Sequence, residues 1–326
     1  MLNKCMNIHF NVELNQFLFS GYNIKRGGDE MTRKISLIGV PMHLGQKIKG
    51  VDMGPSAIRY AGVKERLESL NYDINDLGNI EIPKEKDKTE NPNHLSEIAS
   101  VNEQLAKTVN QEVKKGQYPI ILGGDHSIAI GTLAGLYPHY DNLGVIWYDA
   151  HGDINTPETS PSGNIHGMPL AASLGMGHPE LTTILASSPK VKPENIVLIG
   201  IRDLDEAEKQ IINDLKIKTY TMHEIDLLGM PTVISETLNY LKGKTDGIHL
   251  SFDLDGLDPT EAPGVGTPVP GGLTYRESHL TMELLSDSGL ITSAEFVEVN
   301  PMLDVKSKTV NIAVGLISSL MGEKLK

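Results

Sequence analysis

The stretch Val145–Asp153, which reads VIWYDAHGD, joins an uninterrupted apolar run to three side chains that can bind a cation. The apolar half is typical of a strand buried on both faces, as in a parallel sheet that helices cover on each side. In open α/β sheets, ligands bind beyond the carboxyl ends of the strands, where Asp149, His151 and Asp153 lie. This one segment therefore predicts both the sheet and the edge at which its chemistry takes place.

Apolar strands alternate with amphipathic helices on both sides of this stretch. In Leu95–Lys115, for example, apolar residues recur at helical spacing until Gly116 supplies a stop. We therefore predict an α/β fold with three layers, α/β/α, and a mainly parallel sheet of eight strands. The predicted strands are Lys34–Pro41, Tyr72–Asp76, Tyr118–Leu122, Gly144–Tyr148, Ile196–Gly200, Ile217–Tyr220, Gly247–Phe252 and Ser293–Val299. The predicted helices are Pro55–Leu70, Leu95–Lys115, Asp205–Leu215, Thr232–Leu241, Tyr275–Ser286 and Ser307–Leu320.

The beginning of the chain differs from the rest. Met1–Glu30 has no clear period, and it lacks the charged start, long apolar run and small-residue cleavage site of a secretion signal. Met31 is followed at once by the strand-like KISLIGVP. We therefore expect residues 1–30 to be an extension that is either a native disordered tail or not native, and in the second case Met31 is the natural start. We expect residues 31–326 to form a single catalytic domain, because no linker or repeat divides them.

The composition limits the partners and the cellular compartment that we expect for this protein. The net charge is −13, and no basic stripe is present, so the sequence does not indicate a nucleic-acid partner. Cys5 is the single cysteine, which indicates a reducing compartment and no internal disulfide. No apolar run approaches the ~20 residues that cross a bilayer. We expect a cytoplasmic protein that binds neither nucleic acid nor a membrane.

Two more segments place acidic or imidazole side chains directly after predicted strands. ILGGDHS carries Asp125 and His126, and LSFDLDGLDP carries Asp253 and Asp255. Each aspartate alone would ordinarily be a turn former or a helix cap. The three segments together, each in the same strand-to-loop context, favour one shared site.

A cluster of carboxylates needs positive charge to neutralise it, and a metal cation supplies that charge. Oxygen-rich ligands with only two histidines favour a hard ion such as Mn²⁺ or Mg²⁺. The candidate ligands outnumber those of one tetrahedral ion, so shared carboxylates holding two ions ~3.5–4 Å apart fit better. The candidates are His126, Asp149, His151, Asp153, Asp253 and Asp255.

The motifs GGDHS, DAHGD and SFDLDGLDP together resemble the three signatures of the ureohydrolase family, from about Ile35 to the C-terminus. Other segments resemble the bacterial arginase branch of that family: GVDMGPSAIRYAG, SPSGNIHGMP, IGIRDLDEAE, GVGTPVPGGLTYRE and EFVEVNP. The resemblance implies an arginase/deacetylase-like fold and two Mn²⁺ per subunit. It also implies hydrolysis of L-arginine to L-ornithine and urea by a metal-bridging hydroxide, in a homo-oligomer that is a hexamer or a trimer.

The resemblance also implies a ligand set. One Mn²⁺ would be held by His126, Asp149, Asp153 and Asp253, and the other by Asp149, His151, Asp253 and Asp255. Asp149 and Asp253 would then bridge the two ions. Asp125 and Asp258 would be turn residues that orient their neighbours.

Residues for the substrate follow from the same resemblance. Glu298 would pair with the guanidinium, with Thr267 nearby. His166 would shuttle a proton, and Asp153 is a second candidate for passing one to the departing amine. Three residues would hold the α-carboxylate, namely Asn155, Ser162 and Asn164. Asp205 would hold the α-ammonium with help from Glu208, although such residues on loops are ordinarily turn formers.

Two alternatives stay open. Another ureohydrolase, such as an agmatinase or a guanidinobutyrase, would share the metal motifs, but its substrate has no α-carboxylate for the SGNIHG loop to hold. A non-catalytic metal-binding homologue is the other alternative, and the intact ligand set argues against it. His43, in GVPMHLGQ, is given no role.

Overall fold

The computed structural model describes residues 34–83, 94–187 and 189–325, so the predicted extension at residues 1–30 lies outside the described residues. Eight strands of the described part form one sheet. The strands are β1 Lys34–Val40, β2 Asp73–Asn79, β3 Tyr118–Gly123, β4 Leu143–Tyr148, β5 Ile196–Ile201, β6 Lys218–Thr221, β7 Gly247–Asp253 and β8 Ile291–Val297. Their order in the sheet is β2-β1-β3-β8-β7-β4-β5-β6. Every neighbouring pair is parallel, which confirms the α/β prediction.

Helices cover both faces of the sheet. Along β4, Ile146 and Tyr148 pack into one apolar core, whereas Val145 and Trp147 pack into the other. The helices are α1 Gly54–Tyr60, α2 Val63–Ser69, α3 Leu95–Lys114, α4 Ala129–Leu136, α5 Pro169–Ser173, α6 Pro179–Thr182, α7 Glu206–Leu215, α8 Met222–Leu228, α9 Met230–Leu241, α10 Tyr275–Ser288 and α11 Lys308–Leu320. The first core includes residues of α1, α2 and α8–α11, and the second includes residues of α3–α7, which confirms three layers.

Several elements differ from the prediction, and the short helices α5, α6 and α8 are among those that were not predicted. The single helix predicted at Pro55–Leu70 is wrong, because Gly62 adopts a φ of 86° and separates α1 from α2. The helix α4 was not predicted, since it is buried all round and so has no polar face to give it a period. The strand predicted at Ser293–Val299 ends at Val297, which leaves Glu298 beyond the sheet.

The strand order brings the predicted motifs together. Strands β3, β8, β7 and β4 are consecutive in the sheet, and all point the same way. Their carboxyl ends lead into Asp125, Glu298, Asp253 and Asp149, so segments distant in sequence meet at one edge. No helix within the described residues is long and apolar enough to cross a membrane.

Candidate active site

His126 lies at the centre of a buried group of carboxylates. Its Nδ1 atom lies 3.1 Å from Asp149 Oδ2, 3.0 Å from Asp153 Oδ2 and 3.2 Å from Asp253 Oδ2. His126, Asp149 and Asp153 follow β3 and β4, and Asp253 is the last residue of β7, so three strand ends supply one cluster. Asp153 holds its place with a left-handed φ of 49°, a conformation that non-glycine residues adopt at a cost and that is frequent at functional sites.

A second group of ligand atoms shares Asp149 with the first. The Nδ1 atom of His151 lies 3.4 Å from Asp149 Oδ1 and 3.2 Å from Asp255 Oδ2. Thr267 donates a hydrogen bond of 3.1 Å to the same Oδ2 of Asp255. Two sets of atoms are therefore close enough to hold an ion each, His126 with Asp149 and Asp153, and Asp149 with His151 and Asp255.

The electrostatics of the cluster fit divalent cations. Burial, and then the charge of Asp149, raises the pKa of Asp153 to about 6. Burial and the charges of Asp255 and Asp149 raise the pKa of Asp253 well above its usual range. The pKa of His151 is raised although burial lowers it, because Asp255 and Asp149 stabilise its charged form. These carboxylates are crowded beyond what two imidazoles neutralise, and cations would relieve that crowding.

The imidazole of His126 is oriented to present Nδ1 to this cluster. Its Nε2 lies 2.8 Å from Ser251 Oγ, and that hydroxyl donates to Glu295 Oε1 at 2.7 Å. Because Ser251 gives its only proton to Glu295, it accepts one from Nε2, which leaves the Nδ1 lone pair to bind a metal. Trp147 stacks on the ring at 4.1 Å and donates from Nε1 to Asp149 at 3.0 Å.

The sequence analysis did not identify Trp147, Ser251 or Glu295. A signal was present, since Trp147 stands two residues before Asp149 and Ser251 two before Asp253, which puts each pair on one side of its strand. Their roles depend on contacts between neighbouring strands, and the single sequence does not show which strands are neighbours.

Glu298 lies deep in the site, directly after β8. It has a φ of 64°, and its backbone N–H donates to the carbonyl oxygen of Gly124 at 2.8 Å. Oε1 accepts from the backbone N–H of His126 at 3.0 Å and lies 3.2 Å from His166 Nδ1. Oε2 accepts from Gln46 Nε2 at 2.6 Å, a contact that the sequence analysis did not predict. Burial raises the pKa of Glu298, but His166 and these hydrogen bonds outweigh it and lower that pKa.

His166 stands between Glu298 and the open part of the site. Burial lowers the pKa of its imidazole, but the hydrogen bond and charge of Glu298 outweigh that effect and raise the pKa to about 9. Its backbone N–H donates to the carbonyl oxygen of Gly45 at 3.1 Å. The imidazole is therefore placed to hold a proton beside Glu298.

A cavity of about 220 Å³ opens above the metal-ligand cluster. Its walls include five of the seven residues predicted to bind substrate, and Asn164 and Glu298 are not among the lining residues. His151, Asp153, Asp253 and Asp255 form its inner end, and Ser160, which was not predicted, also lines it. The five predicted residues in the lining are Asn155, Ser162, Asp205, Glu208 and Thr267.

Side chains at the outer end of this cavity form hydrogen bonds with one another. Thr159 donates from Oγ1 to Asn155 Oδ1 at 2.8 Å, and Asn155 donates from Nδ2 to Asp205 Oδ2 at 2.8 Å. The other oxygen of Asp205 caps α7 and forms a capping box with Glu208. Burial, with the charge of Asp153, raises the pKa of Glu208 to about 7. The start of α7 thus supplies an acidic wall to the cavity.

Asp125 and Asp258 have the supporting roles that were predicted for them. Asp125 accepts hydrogen bonds from the backbone N–H groups of Ser127 and Gly45. Asp258 accepts bonds from Gly271 and Gly272 and so fixes a turn. Neither belongs to the two sets of close ligand atoms.

Comparisons with known proteins agree on one family. The family described as "Arginase family" matches residues 33–322. An arginase from Bacillus caldovelox is 65% identical over 297 residues, 90% of this chain and 99% of that protein. Its native structure at pH 5.6 superposes with a TM-score of 0.88 and covers 90% of this chain and 100% of that chain. The arginase of Entamoeba histolytica, solved in complex with L-ornithine, has 38% identity, a TM-score of 0.83, and coverage of 90% and 99%.

Proposed function

The chain belongs to the arginase family, and we propose that it hydrolyses L-arginine to L-ornithine and urea with two Mn²⁺ ions. Its arginase function, that of a hydrolase acting on a linear amidine C–N bond, follows from its 65% identity to an arginase over 90% of the chain. The observation that carries the proposal is the pair of ligand sets that share Asp149 beneath a cavity sized for a small molecule.

The residues that would hold the ions are the six that the three motifs supply. His126, Asp149, Asp153 and Asp253 would hold one ion, and Asp149, His151, Asp253 and Asp255 the other. When bound, the ions supply Lewis-acid charge and lower the pKa of water toward neutrality. The oxygen-rich ligand set supports a hard ion such as Mn²⁺.

Glu298 would hold the guanidinium group and set the position of its carbon. The pKa of this carboxylate is lowered, so it is charged and suited to pair with a cation. Because binding already fixes the reacting carbon, less entropy has to be lost on the way to the transition state. Thr267 supports the same end of the site through its hydrogen bond to Asp255.

A proton must reach the amine that departs as L-ornithine. His166 and Asp153 both line the cavity, and both have a raised pKa. His166 would therefore hold the proton beside Glu298 and pass it to the δ-nitrogen when the C–N bond breaks. Asp153 is the second candidate for that step.

The outer end of the cavity would bind the amino acid head. Asn155 and Ser162 offer hydrogen-bond donors to an α-carboxylate, with Asn164 acting through water. Asp205 places a carboxylate where an α-ammonium would lie, with Glu208 beside it. This division supports L-arginine over agmatine, because agmatine has no α-carboxylate.

The proposal is tested by loading the protein with Mn²⁺ and measuring metal content, then urea release from L-arginine and from agmatine. We expect two ions per subunit and strong preference for L-arginine. Preference for agmatine would mean that agmatine, and not L-arginine, is the substrate. Full metal content without turnover of either compound would indicate a metal-binding protein that is not an enzyme.

We further propose a cytoplasmic homo-oligomer, a trimer or a hexamer. The segment after β8 supports assembly, because it exposes Met302, Leu303 and Val305, which are 66%, 45% and 58% accessible. Symmetric assembly would bury such a patch. Light scattering measures the mass directly, and a monomer would contradict the assembly.

A further inference from the structure

The loop Met42–Gln46 was given no role by the sequence, yet it contacts three separate parts of the active site. Gly45 donates its N–H to Asp125 Oδ2 at 2.9 Å. The carbonyl oxygen of Gly45 accepts the backbone N–H of His166 at 3.1 Å. Gln46 donates from Nε2 to Glu298 Oε2 at 2.6 Å. We name this segment the β1 loop, since it follows β1 directly.

The β1 loop is packed too closely to shift. The N–H of Asp125 donates to the carbonyl oxygen of Met42 at 2.9 Å. A Cβ at Gly124 would lie 1.9 Å from that same carbonyl oxygen, and a Cβ at Gly266 would lie 2.7 Å from Gln46 Oε1. The backbone at Gly124 therefore packs against one side of the loop, and the backbone at Gly266 confines the Gln46 amide on the other side.

The hydrogen bonds of Glu298 are divided unequally between its two oxygens. Oε1 faces two partners, the backbone N–H of His126 and the imidazole of His166. Among the described residues, Oε2 has Gln46 as its hydrogen-bonding partner. A carboxylate oxygen accepts about two hydrogen bonds, so Oε2 has capacity left for a ligand. By holding Oε2 with this hydrogen bond, the Gln46 amide sets the direction of the lone pair that remains for the ligand.

We propose that Gln46 is a positioning residue that orients Glu298 for the guanidinium group. The proposal rests on the proposed function of Glu298 and deepens it. Without the Nε2–H donor, the hydrogen bonds that hold the carboxylate among the described residues all lie on its Oε1 side. A guanidinium presents its N–H groups in a fixed plane, so a rotated carboxylate meets them poorly.

Gln46→Met tests this role, because methionine has a similar length and no donor. We expect kcat/KM for L-arginine to fall about tenfold to a hundredfold, the range for losing a hydrogen bond to a charged group. Metal content and Tm should match the wild type. Gln104→Met is the matched control, since it makes the same change at an exposed glutamine of α3, outside the cavity lining; its kinetics should be unchanged.

Two probes separate positioning from a general structural role. Calorimetry with guanidinium ion reports the Glu298 end alone, and L-norvaline reports the amino acid head without a guanidinium. Gln46→Met should weaken guanidinium binding about tenfold and leave L-norvaline binding unchanged. Equal weakening of both probes, or wild-type binding of both, would overturn the proposal.

Failure of the proposed function would look different. If wild-type protein does not hydrolyse L-arginine, the substrate is wrong, but guanidinium binding still reports on Gln46 and Glu298. If Gln46→Met does not fold, Gln46→Asn keeps the amide one methylene short of Glu298. It should show the same selective loss of guanidinium binding, and wild-type binding by that variant would refute the role of Gln46.

Discussion

The two ends of the cavity are built in different ways. At the inner end, Asp149, Asp253 and Asp255 lie at the carboxyl ends of strands and are 0%, 2% and 1% exposed. At the outer end, Ser162 is exposed and Asp205 is half-buried, and both lie on loops or at a helix start. The inner end is fixed by the sheet, whereas the outer end is fixed by side chains that bond one another. The inner end should therefore control whether the reaction occurs, and the outer end which substrate is chosen.

The largest effect should come from Asp149→Asn, because both sets of ligand atoms share this residue. Losing its charge should release metal and lower urea release by at least about a thousandfold, since metal catalysis contributes several kcal/mol. Elemental analysis and a urea assay measure the two together. Asp203→Asn is the control: its carboxylate is exposed and 3.9 Å from His151, so metal content should hold. Full metal content in Asp149→Asn would contradict the shared role.

Metal should also stabilise the fold, and only through the inner end. Burial, and then the charges of neighbouring carboxylates, raises the pKa of Asp253 and Asp153, so the folded protein without metal holds these carboxylates unfavourably. Binding at a hundredfold excess over Kd adds about 2.7 kcal/mol, so Tm should rise by several degrees with Mn²⁺ and fall with a chelator. Asn155→Ala, at the outer end, should keep the full shift in a thermal melt. A smaller shift in that variant would show that the two ends are coupled.

The sequence predicted the inner end well and the outer end only through resemblance. Asp149, His151 and Asp253 each follow an apolar strand, so their convergence follows from the rule that parallel strands end at one edge. Nothing comparable locates Asn155 or Asp205, because a loop's path depends on contacts with residues distant in the chain. Gln46 was missed for the same reason.

The next effect should come from His166→Asn, which alters the group between the two ends. Asparagine removes the imidazole, so the rate should fall about a hundredfold, as expected for a lost general acid, while metal content is retained. Stopped urea assays and elemental analysis check both. His223→Asn is a suitable control, because His223 is exposed and lies outside the cavity lining. Loss of metal in His166→Asn would show that this histidine contributes to metal binding at the inner end.

The smallest effect should come from Thr159→Val, which tests the outer end alone. Valine keeps the shape but removes the hydroxyl that holds Asn155 in place opposite Asp205. KM for L-arginine should rise about threefold to tenfold with little change in kcat, the cost of one neutral hydrogen bond. Thr159→Ser, which keeps the hydroxyl, should behave as wild type.

Agmatine makes this last variant decisive for the comparison between the two ends. It carries the guanidinium but not the α-carboxylate, so its slow turnover should be the same in Thr159→Val as in the wild type. If agmatine turnover fell as much as arginine turnover, the loop at the outer end would be acting on the reacting carbon. Substrate choice and chemistry would then depend on the same residues. The assignment of chemistry to the inner end and of substrate choice to the outer end would be wrong.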